Sequence, residues 1–193
     1  MTDDLGTVVL ASARETFVSQ RGLADRAIAQ VSFAQLRQVL DRDGNSVAVI
    51  MKHMAGNMRS RWTQVLTSDG EKPWRHRDTE FVDDYTDRDA LEKDWASGWS
   101  VLLETLDRLT GDDLARDVYI RSRPLTLARA IHRQIAHYGY HVGQIVSQCK
   151  RLAGDDWAYL SVPRGGSEAY TRSLQTPKEH GESRGPGENT ETA

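Results

Sequence analysis

A single cysteine, Cys149, leaves this chain without an internal disulfide and without the thiolates a cysteine-based zinc site needs. No run approaches the roughly 18 apolar residues of a membrane span. The start of the chain carries Asp3 and Asp4 where a secretory leader wants basic residues, so a cytoplasmic protein with no membrane partner is expected. Basic residues are also short. Lys and Arg total 25 against 28 Asp and Glu, a net charge of −3, which gives no sign of a nucleic-acid partner. Alternation with period two is nearly absent, and only Val118-Tyr119-Ile120 reads as a short extended piece.

What remains is length and helical periodicity. The chain has 193 residues, 38 % of them hydrophobic and 27 % charged, which is enough apolar surface for one core. Residues 1–173 read as one domain. From Leu174 to Ala193 no large apolar residue follows Leu174, so residues 174–193 are expected to be a disordered tail.

Four long segments have helical spacing. The first spans about Asp4 to Gln30. The second starts at the Asn45-Ser46 cap and runs to about Thr67, with Val47, Ile50, Met51, Met54, Met58, Trp62 and Val65 on one stripe. The third runs from Thr86-Asp87 to before Gly111, with Leu91, Trp95, Trp99, Leu102, Leu103, Leu106 and Leu109 aligned. The fourth follows Pro124, capped by Thr126, and reaches about Leu152. Four such helices predict an all-α four-helix bundle. The connection from Ser68 to Tyr85 is long enough to cross a helix of about 33 Å, at roughly 3.3 Å per residue. It therefore permits a parallel second and third helix.

Among six histidines, His137 and His141 are the informative pair. At i and i+4 they share a helix face, offset by only about 40°, and can grip one metal ion. Gln134, Gln144 and Gln148 lie on the same edge as candidate partners of the rings. His132 is turned about 140° from His137 and stands outside such a site. His53 is the other histidine within a helical segment, at a height compatible with His141 if the second and fourth helices are antiparallel. A lone His-x-x-x-His also arises by chance, so spacing alone gives a metal-binding bundle and little more. His76, Asp78 and Glu80 fall in a charged loop and read most simply as solvated, with a catalytic role for Asp78 and Glu80 as the alternative. Cys149 lies on the core stripe and reads as packing.

The stretches Asn45–Val47, Lys52-His53-Met54, Arg61-Trp62, Asp69-Gly70-Glu71-Lys72-Pro73-Trp74 and Asp78-Thr79-Glu80-Phe81 carry a resemblance. So do Gln134 through Ile145, with its His-Tyr-x-Tyr-His-Val-Gly-Gln-Ile block, and Ser161 through Ser167. Over roughly residues 4–172 the chain resembles an uncharacterised branch of the DinB/YfiT-like superfamily. The resemblance implies a four-helix bundle with up-down-down-up topology and a divalent metal held by His53, His137 and His141. It implies activity of the kind found in that superfamily, metal-dependent hydrolysis or S-transfer with a low-molecular-weight thiol, on a small-molecule substrate. It also implies a homodimer, since many members are dimers.

Three neutral imidazoles leave a metal its full charge and open positions for water or a thiol. They do not select among zinc, nickel, iron and manganese. The sequence shows no general base beside the three histidines. A non-catalytic metal-binding or stress-associated bundle therefore stands as the alternative to an enzyme, and a metal-free helical interaction module as a third reading. The Trp74–Phe81 loop and the Ser161–Ser167 segment are expected either to wall the open side of the site or to cap the bundle ends. Arg164 is a candidate anion contact.

Overall fold

The structure is a computed structural model, and it describes residues 4–175. It divides into two compact units, Met1–Ala158 and Tyr159–Ala193. Within the first unit, helix α1 spans Leu5–Ile28, α2 Phe33–Leu36, α3 Val47–Trp62, α4 Arg88–Arg108 and α5 Leu127–Ala153. A hairpin of β1 (Asp117–Ile120) and β2 (Arg123–Thr126) precedes α5. In the second unit, α6 spans Ser167–Gln175. Leu174 and Gln175 of the expected tail belong to α6, and the rest of that tail lies outside the described residues. The chain is thus helical, with a small two-stranded sheet that the reading as purely helical did not include. Among the described residues no helix is long and apolar enough to cross a membrane.

Each long helix starts where a local cap satisfies its first free N–H groups. Asp4 accepts from Gly6 and Thr7, Ser46 from Val49, Asp87 from Ala90 and Thr126 from Arg129. The four long helices share one core, α1 packing on α5 and α4, and α3 on α4 and α5. One aromatic from each meets at its centre. Phe17 of α1 lies against Trp62 of α3 at 6.1 Å and Tyr138 of α5 at 5.8 Å, and Trp99 of α4 closes the group 6.0 Å from Tyr138. These edge-on and tilted contacts suit aromatic quadrupoles. Helices α3 and α4 approach closely because Gly98 has no side chain; a Cβ there would lie 2.8 Å from the Ala55 Cα.

Helix α3 is buried on nearly every side, with only Lys52 and Arg59 partly exposed. Its apolar stripe faces the core as the sequence predicts. Its other face carries His53, Gly56, Asn57, Ser60 and Arg61 at i, i+3, i+4, i+7 and i+8, and the segment between α3 and α4 folds back over it. The helix ends at Trp62, five residues before the expected end. Gln64 takes a left-handed conformation with φ 50°, and Ser60 and Arg61 both donate to the Gly70 carbonyl, which draws the chain back along α3.

The extended piece Val118–Ile120 is half of a hairpin. Its two-residue turn, Arg121-Ser122, has φ 56° and 59°, the twist that a two-residue hairpin requires and that Asn-Gly usually supplies. Here Asp69 supplies the support instead, accepting from the Arg121 N–H at 2.9 Å and the Ser122 N–H at 2.6 Å.

Candidate functional site

His53, on the polar face of α3, and His137 and His141, on α5, come together. One ring nitrogen from each lies within 4.8 Å of the others. The Nε2 atoms of His137 and His141 are 3.1 Å apart. A zinc–imidazole bond is about 2.0–2.1 Å, so nitrogens at this spacing can share one ion.

Each ring is held from behind through Nδ1. His53 Nδ1 lies 2.9 Å from Glu80 Oε2, His137 Nδ1 3.3 Å from Gln134 Oε1, and His141 Nδ1 2.8 Å from Gln144 Oε1. An oxygen facing Nδ1 fixes the proton there and leaves Nε2 with its lone pair. Burial, reinforced by the nearby charges of His141, His53 and Arg61, pulls the His137 pKa down to about 4. Burial also lowers that of His141, against the Gln144 hydrogen bond that raises it. Both rings are therefore neutral near pH 7, the form in which imidazole binds a cation. The donor set fits a divalent metal.

Two of the three expected glutamines, Gln134 and Gln144, take up this role. Gln148 does not. Glu80 corrects the reading of its loop as solvated. It is 6 % exposed and sits in a 3₁₀ turn, Arg77–Phe81, pressed onto α3. Its carboxylate accepts from Arg75 Nε at 2.7 Å and Arg75 Nη2 at 2.9 Å while facing His53. Burial alone would raise the Glu80 pKa, but the hydrogen bonds and charges of His53 and Arg75 more than offset this and hold it below the ordinary carboxylate range. Gly56 makes the room, since a Cβ there would lie 2.3 Å from Glu80 Oε1. Phe81 stacks on the His53 ring at 5.2 Å. The signal for Glu80 was present in the polar stripe of α3, which a helix buried in a core does not need.

The Asp69-Gly70-Glu71-Lys72 block is a knot of polar contacts beside this site. Glu71 accepts from Arg61 at 3.1 Å and Arg121 at 3.0 Å and faces Arg75 at 3.6 Å. Lys72 is buried and donates to Ser68 Oγ at 2.7 Å and to the Asp69 carbonyl. Asp78 and His76 are exposed, as expected of a solvated loop, and His132 faces the Ala128 carbonyl of its own helix. Cys149 is buried, and burial pushes its thiol up to about 12, which suits packing rather than reaction. Arg164 is exposed in the second unit.

A cavity of about 170 Å³ borders the cluster, with His53, His137, Asn57 and Gln134 in its wall. A larger one of about 750 Å³ lies against Glu80 and Arg75 but is lined by none of the three histidines.

No curated protein and no solved structure matches the chain. A family described as a protein of unknown function, DUF1572, matches over residues 4–166, a span that holds all three histidines, Glu80 and the Asp69–Lys72 block. The chain belongs to this DUF1572 family, which is DinB/YfiT-like.

Proposed function

We propose that this protein is a metal-dependent enzyme built on an up-down-down-up four-helix bundle. His53, His137 and His141 hold one divalent ion, and the reaction is hydrolysis or low-molecular-weight-thiol S-transfer on a small molecule. The bundle reading is supported by the four-way packing of α1, α3, α4 and α5 and by the long segment between α3 and α4. The observation that carries the metal is the set of three Nδ1 atoms tied to Glu80, Gln134 and Gln144, which turns three lone pairs to one place.

A divalent ion there supplies Lewis-acid chemistry, acidifying water or a thiol and polarising a carbonyl. The chain's own residues do the rest. Glu80, pinned by Arg75, fixes the His53 ring and is a positioning residue. Gln134 and Gln144 orient the other two rings. Phe81 and the Arg77–Phe81 turn cover His53 and exclude water from that side. One observation favours the non-catalytic metal-binding alternative: among the described residues no carboxylate lines the cavity beside the histidines.

The test is metal content by inductively coupled plasma mass spectrometry of tag-free wild type, His53→Ala and His141→Ala, with helicity checked by circular dichroism. Wild type should hold near-stoichiometric metal and both variants should lose it. Ester, amide and thiol-conjugation screens then follow on stripped and reloaded protein. Turnover only when loaded supports the enzyme. Metal without turnover supports the non-catalytic bundle. Wild type that stays empty when offered zinc, nickel, manganese and iron(II) overturns both.

A further inference from the structure

The cavity beside the histidines is walled by five arginines, Arg61, Arg75, Arg77, Arg121 and Arg133. Among the described residues three carboxylates answer them, Asp69 by accepting from the Arg121 backbone N–H and by its charge near Arg61. Glu71 engages Arg61, Arg75 and Arg121, and Glu80 engages Arg75 while facing His53. The guanidinium groups of Arg77 and Arg133 make no hydrogen bond or ion pair among the described residues. Arg61 Nε is buried with no partner, although the rest of that guanidinium is bound by Gly70 and Glu71. A chain of net charge −3 thus gathers a local excess of cations around a small cavity.

The excess continues outward. A second cavity of about 580 Å³ shares Arg121 and Arg133, adds Arg123 and Arg129, and has no acidic residue in its wall. Arg121 reaches this position from a left-handed conformation, φ 56°, that a non-glycine residue rarely adopts. Asp69 holds it there through two backbone N–H groups. Arginine's planar fork suits carboxylate and phosphate oxygens and offers nothing to a neutral or cationic ligand.

We propose that these two cavities, which share Arg121 and Arg133 in their walls, together bind a small molecule carrying at least two anionic groups, carboxylate or phosphate. Its anionic groups rest on Arg77, Arg121 and Arg133, and its reacting end enters the smaller cavity against His53 and His137. The assignment of a reacting end rests on the metal-site reading above; the anion site itself does not. A volume of about 170 Å³ next to the histidines admits a small molecule and not a folded chain or a duplex.

Isothermal titration calorimetry of the full chain tests this with pyrophosphate, inorganic phosphate and succinate at constant ionic strength. Saturable binding of pyrophosphate or succinate is expected, and the stronger of the two identifies the anion class. The Arg77→Gln/Arg133→Gln double variant should bind at least ~tenfold more weakly, as loss of charge-assisted hydrogen bonds implies. Arg14→Gln, at a remote surface pair with Asp107, should bind as wild type does. No saturable binding of any of the three probes, or equal binding by the double variant, overturns the proposal. So does binding confined to a single-stranded oligonucleotide. The same titration on metal-stripped protein separates the two readings. Anion binding by a chain that never loads metal removes the metalloenzyme and keeps the anion site, whereas metal loading without anion binding does the reverse.

Discussion

Glu80 links the two halves of the site, its carboxylate between His53 Nδ1 at 2.9 Å and Arg75 Nε at 2.7 Å. Glu80→Gln keeps the shape and loses the charge, so metal affinity should fall about 10–100-fold, the usual cost of losing such a ring partner. Competition with a chelating dye reads this directly. Gly56→Ala should shift affinity in the same direction without touching a ligand, because its Cβ would fall 2.3 Å from Glu80 Oε1. At Cys149 the expected result is silence. With its thiol pushed up to about 12 by burial, native protein at pH 8 should resist iodoacetamide, and urea-unfolded protein should react with it. The His137–His141 pair was legible in the sequence because i and i+4 share a helix face, whereas His53 joined it through the family resemblance. Glu80 was legible only indirectly, through the polar stripe of α3, since a carboxylate in a Gly/Pro-marked loop is usually solvated and nothing in the loop itself says that it folds onto α3.

The helices announce their own starts. Ser46 and Thr126 cap α3 and α5 through hydrogen bonds only three residues long, a signal contained in the local sequence. Ser46→Ala should therefore lower stability by about 1 kcal/mol in urea unfolding while leaving the fold intact. The β1–β2 hairpin gives no such notice. Arg-Ser is a poor turn pair, and the reason it turns lies in Asp69, about fifty residues upstream of Arg121 and Ser122. Asp69→Ala should cost about 1–3 kcal/mol, the range for hydrogen bonds to a charged acceptor. It should also speed hydrogen exchange at the Arg121 and Ser122 amides. The end of α3 was misjudged for a related reason, as Val65 continues the apolar spacing while contacts of Ser60 and Arg61 with Gly70 turn the chain back.

At the scale of the whole molecule, α3 and α5 carry the three histidines and also supply Trp62 and Tyr138 to the shared core, so the candidate site and the core are built from the same two helices. The Trp62 indole N–H donates to the Tyr138 hydroxyl at 3.3 Å, which in turn donates to Asn57 at 3.0 Å beside the cavity. An ion bridging these helices should stabilise the fold by linkage, about 2.7 kcal/mol at a hundredfold excess over Kd. Its signature is a rise in Tm on metal addition that His137→Ala does not show. The most direct measurement is an anomalous difference map from crystals of metal-loaded protein, collected at the absorption edge of the loaded metal. One peak is expected within bonding distance of the Nε2 atoms of His53, His137 and His141, with Glu80, Gln134 and Gln144 still on the Nδ1 atoms. A peak elsewhere, or no peak at these three nitrogens in loaded protein, would contradict it.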